Sequence, residues 1–331
     1  MDSRKIARRG DGETMSAKDL AKLIRPDHWV KNVIVLFPVV TAMKHDEPAA
    51  WALALLTAGA FCFASSGIYV LNDIFDRRAD LAHPSKKDRP IASGRVAVRV
   101  GWLLIIGCLL LAGAVALATD FLIAPALGVG QWVRPVAFAG ILVYVALQVV
   151  YTLRLKWLML LDVICIALGF VIRAAAGAVV IRVAVSPWLF VLTFTLCMFM
   201  GFCKRRNENV SLADPTTAQR HRATLAAYTP ELLGHLISVS AGIAIVSYLL
   251  YTVSPRTIDA FGTHWLVYTL PLVVYAIFRF AMLSMRGNYK DPTDLIFRDR
   301  PFQLAVLLWA LLAVLVIIEG RDAAIWFRGN L

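Results

Sequence analysis

The residues best suited to chemistry lie at 72–94, directly after an apolar run at 51–70. Asp73, Asp76 and Asp80 stand at i, i+3 and i+7, so a helix that continued from the apolar run would place their carboxylates on one face. Carboxylates crowded at a membrane surface repel one another unless a cation lies among them. Oxygen ligands with room for phosphate oxygens suit Mg²⁺. The segment therefore predicts an Mg²⁺ site held by Asp73, Asp76 and Asp80.

Cations for a phosphorylated substrate follow in the same segment. Lys86, Lys87 and Arg89 come soon after the last aspartate. Ammonium and guanidinium groups bind phosphate oxygens through charge-assisted hydrogen bonds. A solvated acidic and basic loop at a helix end is the alternative interpretation. We favour a site for a metal ion and a diphosphate, because the acids keep helical spacing and the bases follow at once.

The composition indicates a polytopic membrane protein. The chain has 331 residues, 59% of them apolar, and a mean hydropathy of +0.69. Lys and Arg outnumber Asp and Glu by 34 to 22, but the bases lie in short loops between apolar runs. That placement is typical of membrane topology and of contact with anionic lipid headgroups rather than of nucleic-acid binding. The five cysteines contain no Cys-x-x-Cys pair, so neither zinc nor a disulfide framework is indicated.

The apolar runs predict an all-α bundle of about nine transmembrane helices. A run needs about 20 residues to span a bilayer. We expect a polar basic tail over 1–27, a membrane domain over 28–320 and a short tail over 321–331. The nine runs cover residues 28–43, 50–71, 97–119, 135–152, 158–181, 187–203, 232–253, 264–285 and 302–318.

The basic residues also predict orientation. The N-terminal tail and alternate loops carry 25 Lys and Arg, against 6 on the opposite side and three inside predicted spans. The positive-inside rule then places the N-terminus and the acidic segment in the cytoplasm. Nine spans put the C-terminus outside. We expect a multi-pass protein of a bacterial plasma membrane, in contact with its lipids.

The acidic segment resembles the first acidic motif of the UbiA-type intramembrane transferases. The residues are Asn-Asp-x-x-Asp-x-x-x-Asp at 72–80, followed by Arg-Pro-Ile-Ala-x-Gly at 89–94. Other blocks resemble the decaprenyl-phosphate phosphoribosyltransferases of that superfamily. They are Arg-Pro-x-x-Trp-Val-Lys-Asn at 25–32, a looser match at 76–86, Val-Ile-Arg-Ala-x-Ala-Gly at 171–177, Lys-Arg-x-x-Glu at 204–208 and Asp-x-x-x-Arg-Asp-Arg at 294–300.

The resemblance implies a bundle with a central cavity facing the cytoplasm, where Mg²⁺ holds a substrate diphosphate. It also implies transfer of 5-phosphoribosyl from 5-phosphoribosyl 1-diphosphate to a polyprenyl phosphate, with release of pyrophosphate, in the synthesis of cell-wall arabinan precursors. The catalytic and metal-binding residues would be Asp73, Asp76 and Asp80. The candidate substrate-binding residues are Lys31, Asn32, Asn72, Lys86, Arg89, Tyr151, Lys156, Arg173, Lys204, Arg205, Glu208, Asp294 and Asp299.

Arg173 is the most informative of these candidates, because a charge within a membrane span is costly and usually faces a protein interior or a watery cavity. Its alternative role is an internal ion pair with an acid such as Asp162. Arg279 lies nearer the cytoplasmic end of its span and is equally compatible with snorkelling.

Two other functions compete with phosphoribosyl transfer. A prenyltransferase would move an isoprenyl group from its diphosphate to an aromatic acceptor. Such enzymes usually carry a second Asp-x-x-x-Asp motif after the sixth span, where this chain has Lys-Arg-Arg-Asn-Glu-Asn at 204–209. A lipid-phosphate transporter would distribute its charges towards both membrane faces. The sequence is compatible with a homo-oligomer and does not set the number of copies.

Overall fold

The chain is an all-α membrane protein, as its sequence predicts. The computed structural model describes residues 16–82, 86–128, 134–211, 227–286 and 292–329, and within them not the side chains of 210–211, 292–294 and 320–329. Every regular element in these ranges is a helix. Eight of the helices are long and apolar enough to cross a membrane, which makes this a multi-pass protein.

The helices follow one another with short connections. Prolines in the first turn begin several of them, where a missing N–H costs nothing. The α-helices are α1 (Ala17–Ile24), α2 (Phe37–Thr41), α3 (Pro48–Phe75), α4 (Arg77–Ala82), α5 (Val98–Ala118), α6 (Ala124–Ala126), α7 (Val136–Leu153), α8 (Leu161–Val180), α9 (Pro187–Ser211), α10 (Pro230–Thr252), α11 (Pro255–Phe261), α12 (Leu270–Met285), α13 (Pro292–Arg298) and α14 (Arg300–Gly329). Short 3₁₀ segments lie at Pro26–Leu36, Leu155–Trp157 and Trp265–Thr269, and a π-helical turn at Thr119–Ile123 joins α5 to α6.

The first apolar run, 28–43, differs from the other eight. It forms the 3₁₀ segment Pro26–Leu36 followed by the five-residue α2, and among the described residues it is not one of the helices long enough to span a bilayer. Pro38 lacks the N–H that an α-helix would bond to the carbonyl of residue 34. The tail boundaries at 27 and 320 stay predictions; α1 lies before the first, and α14 continues beyond the second.

Contacts divide the chain into two compact units. Unit 1 draws on the described parts of 1–39, 47–158 and 172–184. Its core packs α3 against α5 and α7 around buried side chains such as Leu53, Phe61 and Ile141. A glycine permits a close approach there, because a Cβ on Gly177 would lie 2.0 Å from the carbonyl oxygen of Val35. This contact explains the glycine that ends the motif at 171–177.

Unit 2 draws on the described parts of 40–46, 159–171 and 185–331. Its largest core packs α9, α10 and α12 around Phe199, Phe202, Ile237 and Phe280. The helix α8 contributes its first half to this unit and its second half to unit 1.

Candidate functional site

The acidic segment spans the junction of α3 and α4. The sequence predicts one continuous helix through the three aspartates, whereas the structure ends α3 at Phe75 and makes Asp76 its C-cap (φ −85°, ψ 0°). The helical bonding pattern nevertheless continues, because Asp76 N–H donates to the carbonyl of Asn72 and Asp80 N–H donates to that of Asp76. The three aspartates are therefore still linked by bonds of helical spacing, although α3 ends between Asp73 and Asp76.

Asp73 and Asp80 converge on one cation. Nη1 of Arg89 lies 3.0 Å from Oδ1 of Asp73 and 2.8 Å from Oδ2 of Asp80. Nη2 of Arg25 lies 2.6 Å from the same oxygen of Asp73, and its guanidinium stacks over the ring of Tyr69 at 5.1 Å. Both carboxylates are almost fully buried, with 2% and 4% exposure. Burial raises the pKa of Asp80, and Arg89 opposes that shift by favouring the charged form.

Asp76 has a cation of its own. Nζ of Lys156, in the short 3₁₀ segment after α7, lies 2.5 Å from its Oδ1. Lys156 is buried at 2% exposure and its ammonium lies 5.4 Å from the ring centre of Trp157. An ammonium is costly to bury without a partner. The structure therefore fixes Lys156 as a counter-ion of the acidic segment.

The side chain of Asn72 is bonded to α7. The hydroxyl of Thr152, in the last turn of α7, lies 2.8 Å from Oδ1 of Asn72 and 2.8 Å from the carbonyl of Gln148. Thr152 is fully buried and Asn72 half-buried. The amide of the Asn-Asp motif is thereby fixed to a second helix.

The loop that carries Arg89 is tied to α1. Arg95 donates from Nε to Asp19 (3.1 Å) and from Nη2 to the carbonyl of Asp88 (2.6 Å). Hydrogen bonds from Ser16 and Arg95 lower the pKa of Asp19. Because Arg25 is the C-cap of α1, in a left-handed conformation (φ 53°), this tie holds both arginines of the acidic cluster.

A second polar cluster of unit 1 surrounds Arg173 in α8. Its Nε donates to Oδ1 of Asn32 (2.7 Å) and its Nη2 to the hydroxyl of Tyr144 (2.8 Å). The guanidinium lies 4.4 Å from the ring centre of Tyr144 and 5.9 Å from that of Phe61. The structure thus brings two predicted binding residues together, Arg173 and Asn32. Buried guanidinium groups that bond neutral acceptors can also bind an anion.

The alternative partner of Arg173, Asp162, is engaged within unit 2. Its Oδ2 accepts from Nε of Arg205 (2.7 Å) and its Oδ1 from the hydroxyl of Tyr228 (2.7 Å). Arg205 also donates from Nη1 to Glu208 at 2.5 Å. Burial and the bond to Asp162 raise the pKa of Tyr228. Arg205 and Glu208 are thus brought together, but around an internal acid.

The remaining predicted residues have the following places. Asp299, at the start of α14, accepts two bonds from Arg279 at 2.6 and 2.9 Å and caps the helix through Phe302 N–H. That bidentate pair lowers the pKa of Asp299. Tyr151 is buried in α7, and Lys31, Lys86 and Lys204 are half-buried. Asp294 belongs to α13, and its side chain lies outside the described part of the chain.

Comparison with known proteins identifies the family. Residues 33–309 match the model of the UbiA prenyltransferase family. The chain belongs to the UbiA prenyltransferase family. It is 32% identical to a decaprenyl-phosphate phosphoribosyltransferase of Mycolicibacterium smegmatis over 300 residues, 88% of this chain and 89% of that protein. It is 30% identical to the protein of the same name from Corynebacterium glutamicum, over 91% of this chain and 87% of the relative.

A solved structure shows the same fold. A UbiA homologue from Archaeoglobus fulgidus, bound to GPP and Mg²⁺, superimposes with a TM-score of 0.62. The match covers 90% of this chain and 99% of that one at 19% identity. The family match and the two relatives, rather than this likeness in fold, make the chain a membrane transferase.

The acidic cluster of this UbiA-family protein fits a divalent cation in part. Among the described residues, no group of three His, Cys, Asp or Glu side chains is placed to hold a metal ion. Two carboxylate oxygens, one from Asp73 and one from Asp80, nevertheless lie within 3.0 Å of a single nitrogen of Arg89. Mg²⁺ is usually bound in proteins through one or two carboxylates, with water and phosphate as its other ligands, and the oxygens of Asp73 and Asp80 match that pattern.

Arg25 is the functional candidate that the sequence interpretation missed. It begins the Arg-Pro block at 25–32, yet only Lys31 and Asn32 of that block were selected from the sequence. Arg25 could have been selected because it is an arginine directly before a proline, in a block that resembles the family. Its partner Asp73 lies 48 positions away, so local spacing gives no indication of the pair.

Proposed function

We propose that this protein transfers the 5-phosphoribosyl group of 5-phosphoribosyl 1-diphosphate to a polyprenyl phosphate, with Mg²⁺ as cofactor. The observation that supports it most is the convergence of Asp73 and Asp80 on one cation position, flanked by guanidinium groups. The names of the two relatives supply the substrate class. The product would serve synthesis of cell-wall arabinan precursors.

We assign binding of the metal ion to the aspartates and binding of the diphosphate to their counter-ions. Bound Mg²⁺ would neutralise the charge that grows on the leaving group. Asp73 and Asp80 would hold that ion, with Asp76 one turn away. Arg25, Arg89 and Lys156 already lie within 3.0 Å of these carboxylates, so small side-chain movements bring them to diphosphate oxygens.

The second substrate needs no general base. The bond between the anomeric carbon and diphosphate breaks, pyrophosphate leaves with the electron pair, and a lipid phosphate oxygen forms the new bond to that carbon. The attacking phosphate is already an anion, so no proton is moved. It does need cations to approach the sugar, and we assign this role to Arg173 and Lys31.

The remaining candidates divide between binding and support. The bonds of Arg205 to Asp162 and Glu208 support a structural role for Arg205 and Glu208. Asp299, bonded to Arg279, is assigned the same role. Lys86, Tyr151, Lys204 and Asp294 stay candidates for substrate contact.

We further propose the orientation that the basic loops predict. The N-terminus and the acidic segment face the cytoplasm of a bacterial cell, where a water-soluble diphosphate substrate is available, and the C-terminus lies outside. Cysteine substitutions at exposed sites, labelled from one side of intact cells, test this orientation.

The reaction is tested with the purified protein in lipid nanodiscs. Ribose-labelled 5-phosphoribosyl 1-diphosphate, decaprenyl phosphate and Mg²⁺ should give a lipid-extractable label and one pyrophosphate per product. Asp73→Asn and Asp76→Asn should each lower kcat/KM by about 10²–10³-fold, the usual cost of removing a group that stabilises the developing charge. Asp46→Asn is the matched control, because Asp46 has 89% side-chain exposure. Activity unchanged by chelator, or near normal in both site variants, contradicts the proposal.

Prenyl transfer is the second candidate, since the structural relative is bound to GPP. The same preparation is given a labelled isoprenyl diphosphate and an aromatic acceptor. A prenylated aromatic, with no ribose label in the lipid, replaces our proposal with prenyl transfer. Lipid transport is tested separately with the protein in sealed vesicles, where it predicts movement of polyprenyl phosphate across the bilayer with no release of pyrophosphate.

A further inference from the structure

The acidic segment is held by two contacts of equal spacing. Thr152 bonds Asn72, and Lys156 bonds Asp76. The two residues of each pair are 80 positions apart in the sequence. Thr152 and Lys156 are therefore separated by four residues, as Asn72 and Asp76 are. The end of α7 and the 3₁₀ turn after it therefore lie alongside the acidic segment in the same direction and in register with it.

Lys156 is positively charged and can bind a diphosphate, whereas Thr152 is not suited to bind one. Thr152 is 1% exposed, and its hydroxyl oxygen lies 2.8 Å from both Oδ1 of Asn72 and the carbonyl oxygen of Gln148. A hydroxyl has one proton and two lone pairs. Only one of the two oxygens can receive the proton. If Oδ1 of Asn72 receives it, the hydroxyl holds the amide oxygen; if the carbonyl of Gln148 receives it, the hydroxyl oxygen accepts a bond from the NH₂ group of an amide turned the other way. Thr152 restrains the amide of Asn72 in either arrangement.

Asn72 directly precedes Asp73 and accepts, through its backbone carbonyl, the N–H of Asp76. Its side chain thus lies at the start of the segment that carries all three aspartates. An amide can present either its oxygen or its NH₂ group, and these have opposite affinities for a cation and for a phosphate oxygen. Free rotation of this amide would place a donor and an acceptor in the site in turn.

We propose that Thr152 is a positioning residue of the transferase site, which fixes the amide of Asn72 so that one face of it is presented to the metal and diphosphate. This inference rests on the proposed function for the identity of those ligands. Groups that orient a ligating residue through a hydrogen bond typically change metal affinity by about 10–100-fold when removed.

The test uses two variants of nearly equal size. Thr152→Val keeps the shape and removes the hydroxyl, while Thr152→Ser keeps the hydroxyl and removes a methyl group. Mn²⁺ binding to the purified full-length protein, without substrate, is followed by the electron paramagnetic resonance signal of the free ion. We expect Thr152→Val to weaken Mn²⁺ binding by about tenfold and Thr152→Ser to remain within about threefold of wild type. A Thr152→Val protein that binds Mn²⁺ like wild type, or a Thr152→Ser protein as weak as Thr152→Val, overturns the inference.

A double substitution separates positioning from general stability. In an Asn72→Ala background, Thr152→Val should cause no further loss of Mn²⁺ affinity, because the group that it positions is gone. An equal additional loss contradicts the role. The activity assay adds a second readout, in which the KM for the diphosphate substrate should rise more than kcat falls.

The two proposals fail in different ways. A Thr152-dependent Mn²⁺ site in a protein that transfers no ribose label removes the proposed reaction and leaves the positioning role intact. Ribose transfer by a protein whose Mn²⁺ affinity is unchanged in Thr152→Val removes the positioning role and leaves the proposed reaction intact.

Discussion

Replacing Arg89 by glutamine should tighten metal binding and weaken substrate binding at the same time. In the structure Nη1 of Arg89 occupies the position between Asp73 and Asp80 that a cation would take. A divalent ion must therefore displace Arg89 before both carboxylates can bind it. Removal of the guanidinium relieves this competition.

The contacts of Arg89 set the size of the effect. A hydrogen bond to a charged group contributes about 1.5–3 kcal/mol, and Arg89 makes one to each carboxylate. We count only the bond to Asp80, because Asp73 keeps its bond to Arg25 in the variant, and we take the lower end of the range, because the Arg89 side chain is 27% exposed. About 1.5 kcal/mol corresponds to roughly tenfold tighter binding of Mn²⁺ in the absence of substrate.

The control is Lys87→Gln, which removes one positive charge from an exposed position of the same loop. Mn²⁺ titrations of wild type and both variants are followed by measurement of the KM for 5-phosphoribosyl 1-diphosphate. Arg89→Gln should raise that KM about tenfold, since a charge-assisted contact to diphosphate is lost. Equal tightening in both variants would show a general charge effect. Weaker Mn²⁺ binding in Arg89→Gln would refute the displacement argument.

Two further predictions concern stability. Gly177→Ala should destabilise the protein by about 3 kcal/mol, because the Cβ of the alanine would lie 2.0 Å from the backbone oxygen of Val35. Gly107→Ala is the control, because a Cβ there meets nothing within 4 Å, and it should not lower the melting temperature measured in detergent. Asp299→Asn should lower the melting temperature at pH 7, and this difference from wild type should vanish only in acid well below the ordinary pKa of an aspartate, because the bond to Arg279 depresses the pKa of Asp299 in the folded state. The stability from that pair is present above the unfolded value and is lost as the pH falls through the folded one. A difference in melting temperature between wild type and Asp299→Asn that stays constant down to acid pH contradicts this assignment.

The sequence predicted what depends on composition and on short spacing. Eight of the nine apolar runs correspond to helices able to span a membrane, because burial in lipid requires about 20 apolar residues whatever the tertiary packing. The proximity of Asp73, Asp80 and Arg89 was likewise accessible, since all three lie within one short segment.

Contacts between segments that are distant in the sequence could not be predicted from composition or spacing. The partners of Arg25 and Lys156 lie 48 and 80 positions away, and many basic residues of similar type compete for the same acids. The end of α3 at Phe75, beside an Asp76 that is bonded to Lys156, was not predicted either. Pairing of that kind depends on which helices pack together, and helical spacing carries no information about it.

The charges of unit 1 also indicate how a diphosphate and its metal could enter together. Asp73, Asp76 and Asp80 are matched by Arg25, Lys156 and Arg89, so the acidic segment is neutralised by side chains of its own unit. A metal ion arriving alone must compete with these cations, and a diphosphate arriving alone must compete with the aspartates. With both ligands bound, Asp73 and Asp80 would hold the metal ion and the freed cations would hold the phosphate oxygens, so new ion pairs would replace the broken ones. The arrangement thus favours joint binding over binding of either ligand alone, and the affinity of the metal should rise when the diphosphate is present.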